Sequence, residues 1–171
     1  GGGLVINHQP LGGAHGWSGE IGHICVEPQG NVCSCGARGC LETIAGLKAL
    51  CRAAGLGDGA SARELTQLAG HSAKAQDALA NAGHALGQAL AGVVNTVDIS
   101  QVYLGGLVAE TAPYLLPTLH EELETRVLQA PWYAPAIDIL PSSEDLSLRG
   151  GAFQIFERIM DDPIHWKDGA F

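Results

Sequence analysis

The chain has 171 residues, 46% of them hydrophobic, and a formal net charge of −9. This length and apolar content suffice for one domain with a core, and the acidic balance argues against direct binding to a phosphate backbone. No apolar run approaches the roughly 20 residues that a membrane span needs. We therefore expect neither a nucleic acid nor a membrane as a direct partner.

The first forty residues alternate short apolar runs with glycine-rich loops. Residues 4–7 form a strand candidate, and the turn-forming residues 9–13 follow it. After a Gly/Ser-rich loop over 15–20, residues 21–27 form a second apolar run, and we expect these two strands to pair as an antiparallel hairpin. Residues 31–40 form a cysteine-rich loop. Because the chain opens on glycines that lead directly into a strand, we expect it to be a fragment that lacks an N-terminal part.

From Leu41 onward the pattern becomes helical. Residues 42–54 are predicted to form one short helix, and Ser61 with Glu64 is a capping-box signature for a helix ending at Ala69. Residues 72–95 form the strongest helix prediction because apolar residues recur at steps of three and four. Three glycines interrupt that helix, and we expect each of them to face a closely packed backbone: Gly83, Gly87 and Gly92.

The second half of the chain alternates strands with helices. The predicted elements are a strand over 99–104, a helix over 109–128, a strand over 136–140, a helix over 146–160 and an irregular tail over 161–171. This alternation predicts an α/β layer architecture, with later strands that are parallel.

Four metal-ligand residues lie within 18 positions: His23, Cys33, Cys35 and Cys40. Three thiols and one imidazole are the ligand set of a closed tetrahedral zinc site, which leaves no open position for hydrolytic chemistry. The sequence therefore predicts a structural zinc. The alternatives are free thiols in a loose loop, or a redox pair formed by Cys33 and Cys35.

The other two cysteines are Cys25 and Cys51. Five cysteines, three of them within eight positions, do not form a disulfide framework, so we expect a reducing, cytoplasmic compartment. Cys25 lies in an apolar run and Cys51 in a predicted helix. Both are expected to be buried small hydrophobic residues.

Two carboxylates, Glu20 and Glu42, flank the ligand set. An isolated glutamate is usually a solvated surface residue, but a metal would hold these two in fixed positions. Carboxylates accept the hydrogen bonds of adjacent sugar hydroxyls, and fixing them beforehand lowers the entropy cost of binding. His23 can ligate zinc through one ring nitrogen and offer the other to the same ligand. We therefore expect sugar contacts from Glu20, His23 and Glu42.

The strings GEIGH at 19–23 and CSCGARGCLE at 33–42 resemble the signature of the ROK family of repressors and sugar kinases. The opening GGGLVI, the strand and glycine pair VYLGG at 102–106, and RGGA at 149–152 are also similar to that family. The resemblance covers the chain up to about residue 160. The cysteine motif carries it, since the glycine motifs alone are weak.

The resemblance implies that residues 1–171 are a single C-terminal lobe of the actin-like ATPase and sugar kinase fold, which is ribonuclease H-like, with an inserted zinc loop. An N-terminal lobe and any DNA-binding domain would lie outside this chain. The resemblance also implies zinc at the four ligand residues and sugar contacts from Glu20, His23 and Glu42. Family kinases phosphorylate hexoses or N-acylhexosamines with ATP, whereas family repressors use the sugar site as a sensor.

Two departures from the kinases matter. The family's catalytic Asp and first phosphate loop belong to the N-terminal lobe, so this chain alone is not expected to be catalytic. In a kinase, Gly105 and Gly106 would contact the nucleotide, and a third glycine commonly follows them. Here Leu107 stands in that place and is expected to crowd an adenosine.

These features favour the sugar-sensing and oligomerisation lobe of a ROK repressor. Its expected partners are a sugar or sugar phosphate and a second copy in a homodimer or larger assembly, with DNA bound only through a separate N-terminal domain. The alternatives are the C-terminal half of an ATP-dependent sugar kinase and a zinc-stabilised interaction module without a small ligand.

Overall fold

A computed structural model describes residues 1–141 and 145–163. The chain divides into two compact units, Gly1–Leu140 and Pro141–Phe171. The first unit contains, in chain order, β1 (Val5–Ile6), β2 (Gln9–Pro10), a 3-10 helix (Ile21–His23), α1 (Glu42–Ala45), α2 (Leu47–Ala54), α3 (Ala62–Ala69), α4 (Ala73–Val97), β3 (Gln101–Leu104), α5 (Gly106–Arg126) and β4 (Ala136–Ile139). The second unit contains α6 (Leu146–Asp161).

The two strand pairs have different topologies. β3 and β4 are parallel, with Gln101 opposite Ala136, and α5 connects them in the sequence, as an α/β unit requires. β1 and β2 are antiparallel, with Val5 opposite Pro10. The predicted parallel pair is therefore confirmed.

The predicted location of the hairpin was wrong. Its turn is Asn7 and His8, whose φ angles of 51° and 64° are the left-handed values of a tight two-residue hairpin turn. Residues 9–10, expected to be a turn, form the second strand. The apolar run at 21–27 begins as a 3-10 helix and contributes only an isolated bridge at Cys25.

The helices follow the sequence pattern closely, with one break. Ser61 caps α3, and its backbone N–H donates to Glu64 Oε2 at 2.7 Å, which completes the capping box. The helix predicted over 42–54 is divided at Gly46, whose φ of −67° and ψ of 147° are extended. α5 begins three residues before its predicted start, at the glycine pair.

Two hydrophobic clusters hold the first unit together. The larger one joins α4, β3 and α5 through residues such as Val94, Val102 and Leu119. Ile21 of the 3-10 helix and Ile24, which follows that helix, pack against this cluster, so the segment around His23 is anchored to the core. The smaller cluster joins α2, α3 and the first half of α4.

The long helices α4 and α5 approach each other closely through glycine. A Cβ atom on Gly83 would collide with Thr118 Oγ1 and with the Leu115 carbonyl oxygen, and one on Gly87 would lie 2.6 Å from Glu122 Cβ. Thr118 Oγ1 also donates a 2.7 Å hydrogen bond across the contact to the Ala80 carbonyl. The predicted close packing is therefore confirmed for Gly83 and Gly87.

Gly92 differs from the other two glycines of α4. Among the described residues, and apart from the nearby backbone of its own helix, no atom lies within 4 Å of the point that its Cβ would occupy. The prediction that it faces a closely packed backbone was wrong.

Within the part of the chain that the structure describes, no helix combines the length and apolar content needed to cross a membrane. Of the tail predicted to be irregular, residue 161 ends α6, and residues 164–171 lie outside the described residues.

The glycines of α4 give a matched pair for testing the helix contact. Gly83→Ala should lower the free energy of unfolding by about 1–3 kcal/mol, the usual range for overpacking a core. Gly92→Ala should leave it unchanged or raise it by up to about 1 kcal/mol, because alanine is the better helix former. Urea unfolding followed by circular dichroism measures both. Equal effects of the two substitutions would contradict the close helix contact.

Candidate metal centre

The four predicted ligands converge in the folded chain. One ligand atom from each of His23, Cys33, Cys35 and Cys40 lies within 4.8 Å of the other three. The Cys33 sulfur is 3.7 Å from His23 Nδ1, and the sulfurs of Cys35 and Cys40 are also 3.7 Å apart. The structure thus brings together His23 at the end of the 3-10 helix and the three cysteines of the loop that follows it.

These separations fit zinc. Two sulfurs bound at about 2.3 Å to a tetrahedral zinc ion lie about 3.8 Å apart, close to the 3.7 Å between Cys35 and Cys40. Thiolate and imidazole are ligand types that zinc prefers, and four protein ligands close the site. The donor set therefore suits a structural zinc ion.

A small hairpin presents Cys33 and Cys35. Val32 and Arg38 pair across it, and the Cys33 N–H donates to the Ala37 carbonyl at 2.7 Å. The tip turns through Gly36, whose φ of 91° is left-handed. A short loop with this geometry places both sulfurs on the same end of the hairpin.

Arg38 fastens the base of this hairpin. Its Nη1 donates to the Gly30 carbonyl at 2.9 Å, and the neighbouring Gly39 N–H donates to the Asn31 carbonyl at 2.8 Å. Sequence reasoning missed this role of Arg38. Its position inside the cysteine loop was the only available signal.

Cys40 lies where the hairpin joins the rest of the unit. It pairs with Cys25 in an isolated antiparallel bridge, and the adjacent Leu41 N–H donates to the Ile24 carbonyl at 2.9 Å. Leu41 is buried in the larger hydrophobic cluster. The chain then enters α1 at Glu42, so the fourth ligand is only two residues from a candidate sugar ligand.

The charges of the thiols indicate why a cation suits this site. The Cys35 backbone N–H bonds to the Cys33 sulfur and, with the neighbouring thiols and His23, lowers the pKa of Cys33 to about 6, despite burial. Burial, followed by the adjacent sulfurs of Cys35 and Cys33, raises the pKa of Cys40 to about 12. The thiolate of Cys33 thus opposes the formation of a thiolate at Cys40, and a divalent cation would allow both to be deprotonated together.

The candidate sugar ligands surround a single 3-10 turn. Glu20 precedes the helix Ile21–His23, and His23 ends it. The central residue is Gly22, and the point that its Cβ would occupy is 3.4 Å from Glu42 Oε2. Glu20, His23 and Glu42 are all exposed. Glu20 and His23 thus flank the turn in sequence, and the Glu42 carboxylate of α1 lies against its central residue.

The glycine pair lies at a different position in the fold. β3 ends at Leu104, Gly105 caps α5, and Gly106 begins the helix with a φ of 56°. A glycine turn between a parallel strand and a helix N-terminus is a common phosphate site. Leu107 is partly buried and packs against the smaller hydrophobic cluster. That it would crowd an adenosine stays a prediction.

The two cysteines outside the predicted ligand set differ in burial. Cys51 is fully buried, as predicted, and its sulfur donates to the Ala60 carbonyl at 3.6 Å. Cys25 is exposed, so the prediction that it is a buried residue was wrong. The segment 21–27 does not form the buried strand on which that prediction depended.

Residues 1–159 match the model of the ROK family. Among curated proteins, the xylose repressor of Bacillus spizizenii is 33% identical over 82% of this chain and 37% of its own length. The N-acetylmannosamine kinase of Vibrio vulnificus is 38% identical over 67% of this chain and 40% of its own length. The chain therefore spans about two fifths of the curated relatives it matches.

The same relationship appears among solved structures. The ROK hexokinase from Thermus thermophilus superposes with a TM-score of 0.71, at 30% identity, over 89% of this chain and 52% of that one. The α/β fold is thus shared with a ROK sugar kinase.

Two hairpin glycines test the metal centre. Gly39 has a φ of 74°, and a Cβ atom there would collide with the Glu27 carbonyl oxygen, whereas Gly36, with a φ of 91°, has no neighbour within 4 Å. Gly36→Ala should cost only the left-handed conformation, about 1–2 kcal/mol. Gly39→Ala should also break the base of the hairpin and lose zinc.

The readout for this pair is the zinc content by mass spectrometry after dialysis against a mild chelator. We expect about one ion per chain in the unsubstituted protein and in Gly36→Ala, and substantially less in Gly39→Ala. Equal zinc content in the two variants would argue against the hairpin as the support of the metal centre.

Proposed function

The chain belongs to the ROK family, and from this premise we propose that it is the zinc-stabilised, sugar-binding lobe of a transcriptional repressor. In this proposal the lobe binds a sugar, and sugar binding changes DNA binding by the rest of the protein. The observation that carries the sugar site is the convergence of four metal-ligand atoms within 4.8 Å, next to the turn that bears Glu20 and faces Glu42. The repressor part of the proposal is supported by the similarity to the xylose repressor, which extends over 82% of this chain.

His23, Cys33, Cys35 and Cys40 would hold the zinc ion, which would supply positive charge to the thiolates and fix the hairpin. The residues of this chain then define the site. Ile21 anchors the 3-10 turn in the core, and Leu41 anchors the start of α1. A turn fixed at both ends presents its carboxylates with little loss of entropy on binding.

Sugar recognition would depend on Glu20, Glu42 and His23. Each carboxylate can accept hydrogen bonds from two adjacent hydroxyls, and such charge-assisted bonds are stronger than neutral ones. His23 directs Nδ1 towards the Cys33 sulfur, so Nε2 is the nitrogen that can meet the sugar. This arrangement would select a polyhydroxylated ligand over an apolar one.

The proposed response to the sugar depends on a difference in its affinity for two arrangements of the lobes. A sugar that contacts this lobe and a second lobe favours the closed arrangement of the two, because only that arrangement makes both sets of contacts. Closure of the two lobes would change the orientation of a DNA-binding domain attached elsewhere in the protein. The lobe itself is acidic and would not contact DNA.

We also propose a homodimer or larger assembly, in which two such DNA-binding domains would act together.

A second candidate function is the C-terminal half of an ATP-dependent sugar kinase. The glycine turn at Gly105 and Gly106 favours it, since it opens α5 at the end of a parallel strand. The catalytic carboxylate would then come from the other lobe.

The sugar site can be tested with Glu42→Gln. Calorimetry on the full-length protein would use D-xylose, D-glucose and N-acetylmannosamine as probes. We expect at least one to bind, and Glu42→Gln to weaken that binding tenfold or more, since hydrogen bonds to charged groups contribute about 1.5–3 kcal/mol.

The exposed Glu121 of α5 provides the matched control. Glu121→Gln removes the same charge outside the site and should leave the affinity unchanged. Unaltered affinity in Glu42→Gln would reject the proposed role of this carboxylate. Binding of none of the three sugars would favour the zinc-stabilised interaction module.

An ATP assay separates the two candidate functions. The full-length protein is incubated with ATP, Mg²⁺ and each of the three sugars, and ADP is measured. A repressor should release no more ADP with sugar than without. Sugar-dependent ADP release would overturn the repressor proposal in favour of the kinase.

A further inference from the structure

Cys25 is the one exposed cysteine outside the proposed ligand set among the five. It stands directly opposite Cys40, a proposed zinc ligand, in the antiparallel bridge at the base of the hairpin. Sequence spacing alone does not bring these two residues together, since fifteen positions separate them.

The hydrogen bonds around this pair define its geometry. The Val26 N–H donates to the Gly39 carbonyl at 2.9 Å, and the Leu41 N–H donates to the Ile24 carbonyl at 2.9 Å. Bonds from the flanking residues on both sides mark Cys25 and Cys40 as a non-hydrogen-bonded pair. In such a pair the Cα atoms are about 4.5 Å apart and the side chains lie on the same face.

That geometry is compatible with a covalent bond. Disulfides join cysteines whose Cα atoms are about 4.4–6.8 Å apart, and the spacing of a non-hydrogen-bonded pair, about 4.5 Å, lies inside that range. A side-chain rotation, with little movement of the backbone, would bring the sulfurs together. Cys51, buried in the packing of α2, has no comparable partner.

We propose that Cys25 and Cys40 form a redox pair, whose oxidation by a peroxide removes Cys40 from the metal centre and releases the ion. The consequence for zinc rests on the proposed function, whereas the formation of the disulfide does not. The redox state of Cys25 would thereby control the sugar site, since Glu42 follows Cys40 by two residues.

The reaction balances with hydrogen peroxide as the oxidant. The Cys25 thiol attacks one peroxide oxygen, the O–O bond breaks, and the products are a sulfenic acid at Cys25 and water. The Cys40 sulfur then attacks the Cys25 sulfur. An S–S bond forms, the S–O bond breaks, and the oxygen leaves as hydroxide, or as water if the Cys40 sulfur carried a proton.

Accessibility favours Cys25 as the first site of oxidation. Cys40 and Cys33 have 0% and 5% of their surfaces exposed, so a peroxide in the solvent has little access to them. Cys35 is exposed, but its sulfur belongs to the proposed ligand cluster. Coordination to a metal ion would make that sulfur less reactive towards peroxide. Cys25 combines exposure with a position outside that cluster.

The test treats the full-length, zinc-loaded protein with hydrogen peroxide and follows zinc release with a chromogenic chelator. We expect the unsubstituted protein to release its zinc and to bind zinc again after reduction by dithiothreitol. Cys25→Ser should bind zinc as the unsubstituted protein does and should release it at least tenfold more slowly under peroxide. Cys51→Ala, the matched control, should behave as the unsubstituted protein does.

Mass spectrometry identifies the bridge. Digestion at Glu20, Arg38 and Glu42 separates a peptide of residues 21–38 from one of residues 39–42, and fragmentation locates the sulfur that joins them. A Cys25–Cys40 link supports the proposal. A Cys35–Cys40 link, or equal zinc release from Cys25→Ser, overturns it.

The two proposals fail in different ways. If the purified protein holds no zinc, the metal part of the proposed function fails, and the Cys25–Cys40 link alone decides whether the redox pair exists. If zinc is present but the link does not form, the redox pair fails and the zinc site stands.

Discussion

The meeting of three sulfurs and one imidazole nitrogen is the interaction on which the candidate site depends. The hairpin that carries Cys33 and Cys35 has little apolar content of its own, and it is held by backbone bonds and by Arg38 on Gly30. A cation joining it to His23 would link the hairpin to the turn that bears Glu20. The separation of 3.7 Å between Cys35 and Cys40 makes such a link possible.

The core provides the other half of this arrangement. Gly83 and Gly87 let α4 and α5 pack closely, and the larger cluster built on these helices receives Ile21 and Leu41 from the two sides of the site. The proposed sugar carboxylates therefore stand on segments that apolar packing fixes at one end and that a bound metal ion would fix at the other. The affinity for the proposed sugar would depend on both.

Local patterns predicted much of this fold. The capping box at Ser61 and Glu64 gave the start of α3, and the apolar periodicity gave α4 within two residues at each end. The hairpin was misplaced because Gln9–Pro10 has turn-like composition, while the left-handed Asn7 and His8 form the actual turn. For Gly92, a sequence cannot state whether a neighbouring helix passes close to a given glycine.

The sequence by itself determined the candidate ligand set, because a metal site needs suitable residue types at close spacing, and His23, Cys33, Cys35 and Cys40 satisfy both conditions. It also indicated the two carboxylates by their proximity to those ligands. Only the tertiary structure decided the environment of Cys25 and of Leu107. An apolar run predicts burial for Cys25, whereas the bridge to Cys40 leaves it exposed. Pairing register and side-chain direction arise from contacts between distant segments, which no local pattern encodes.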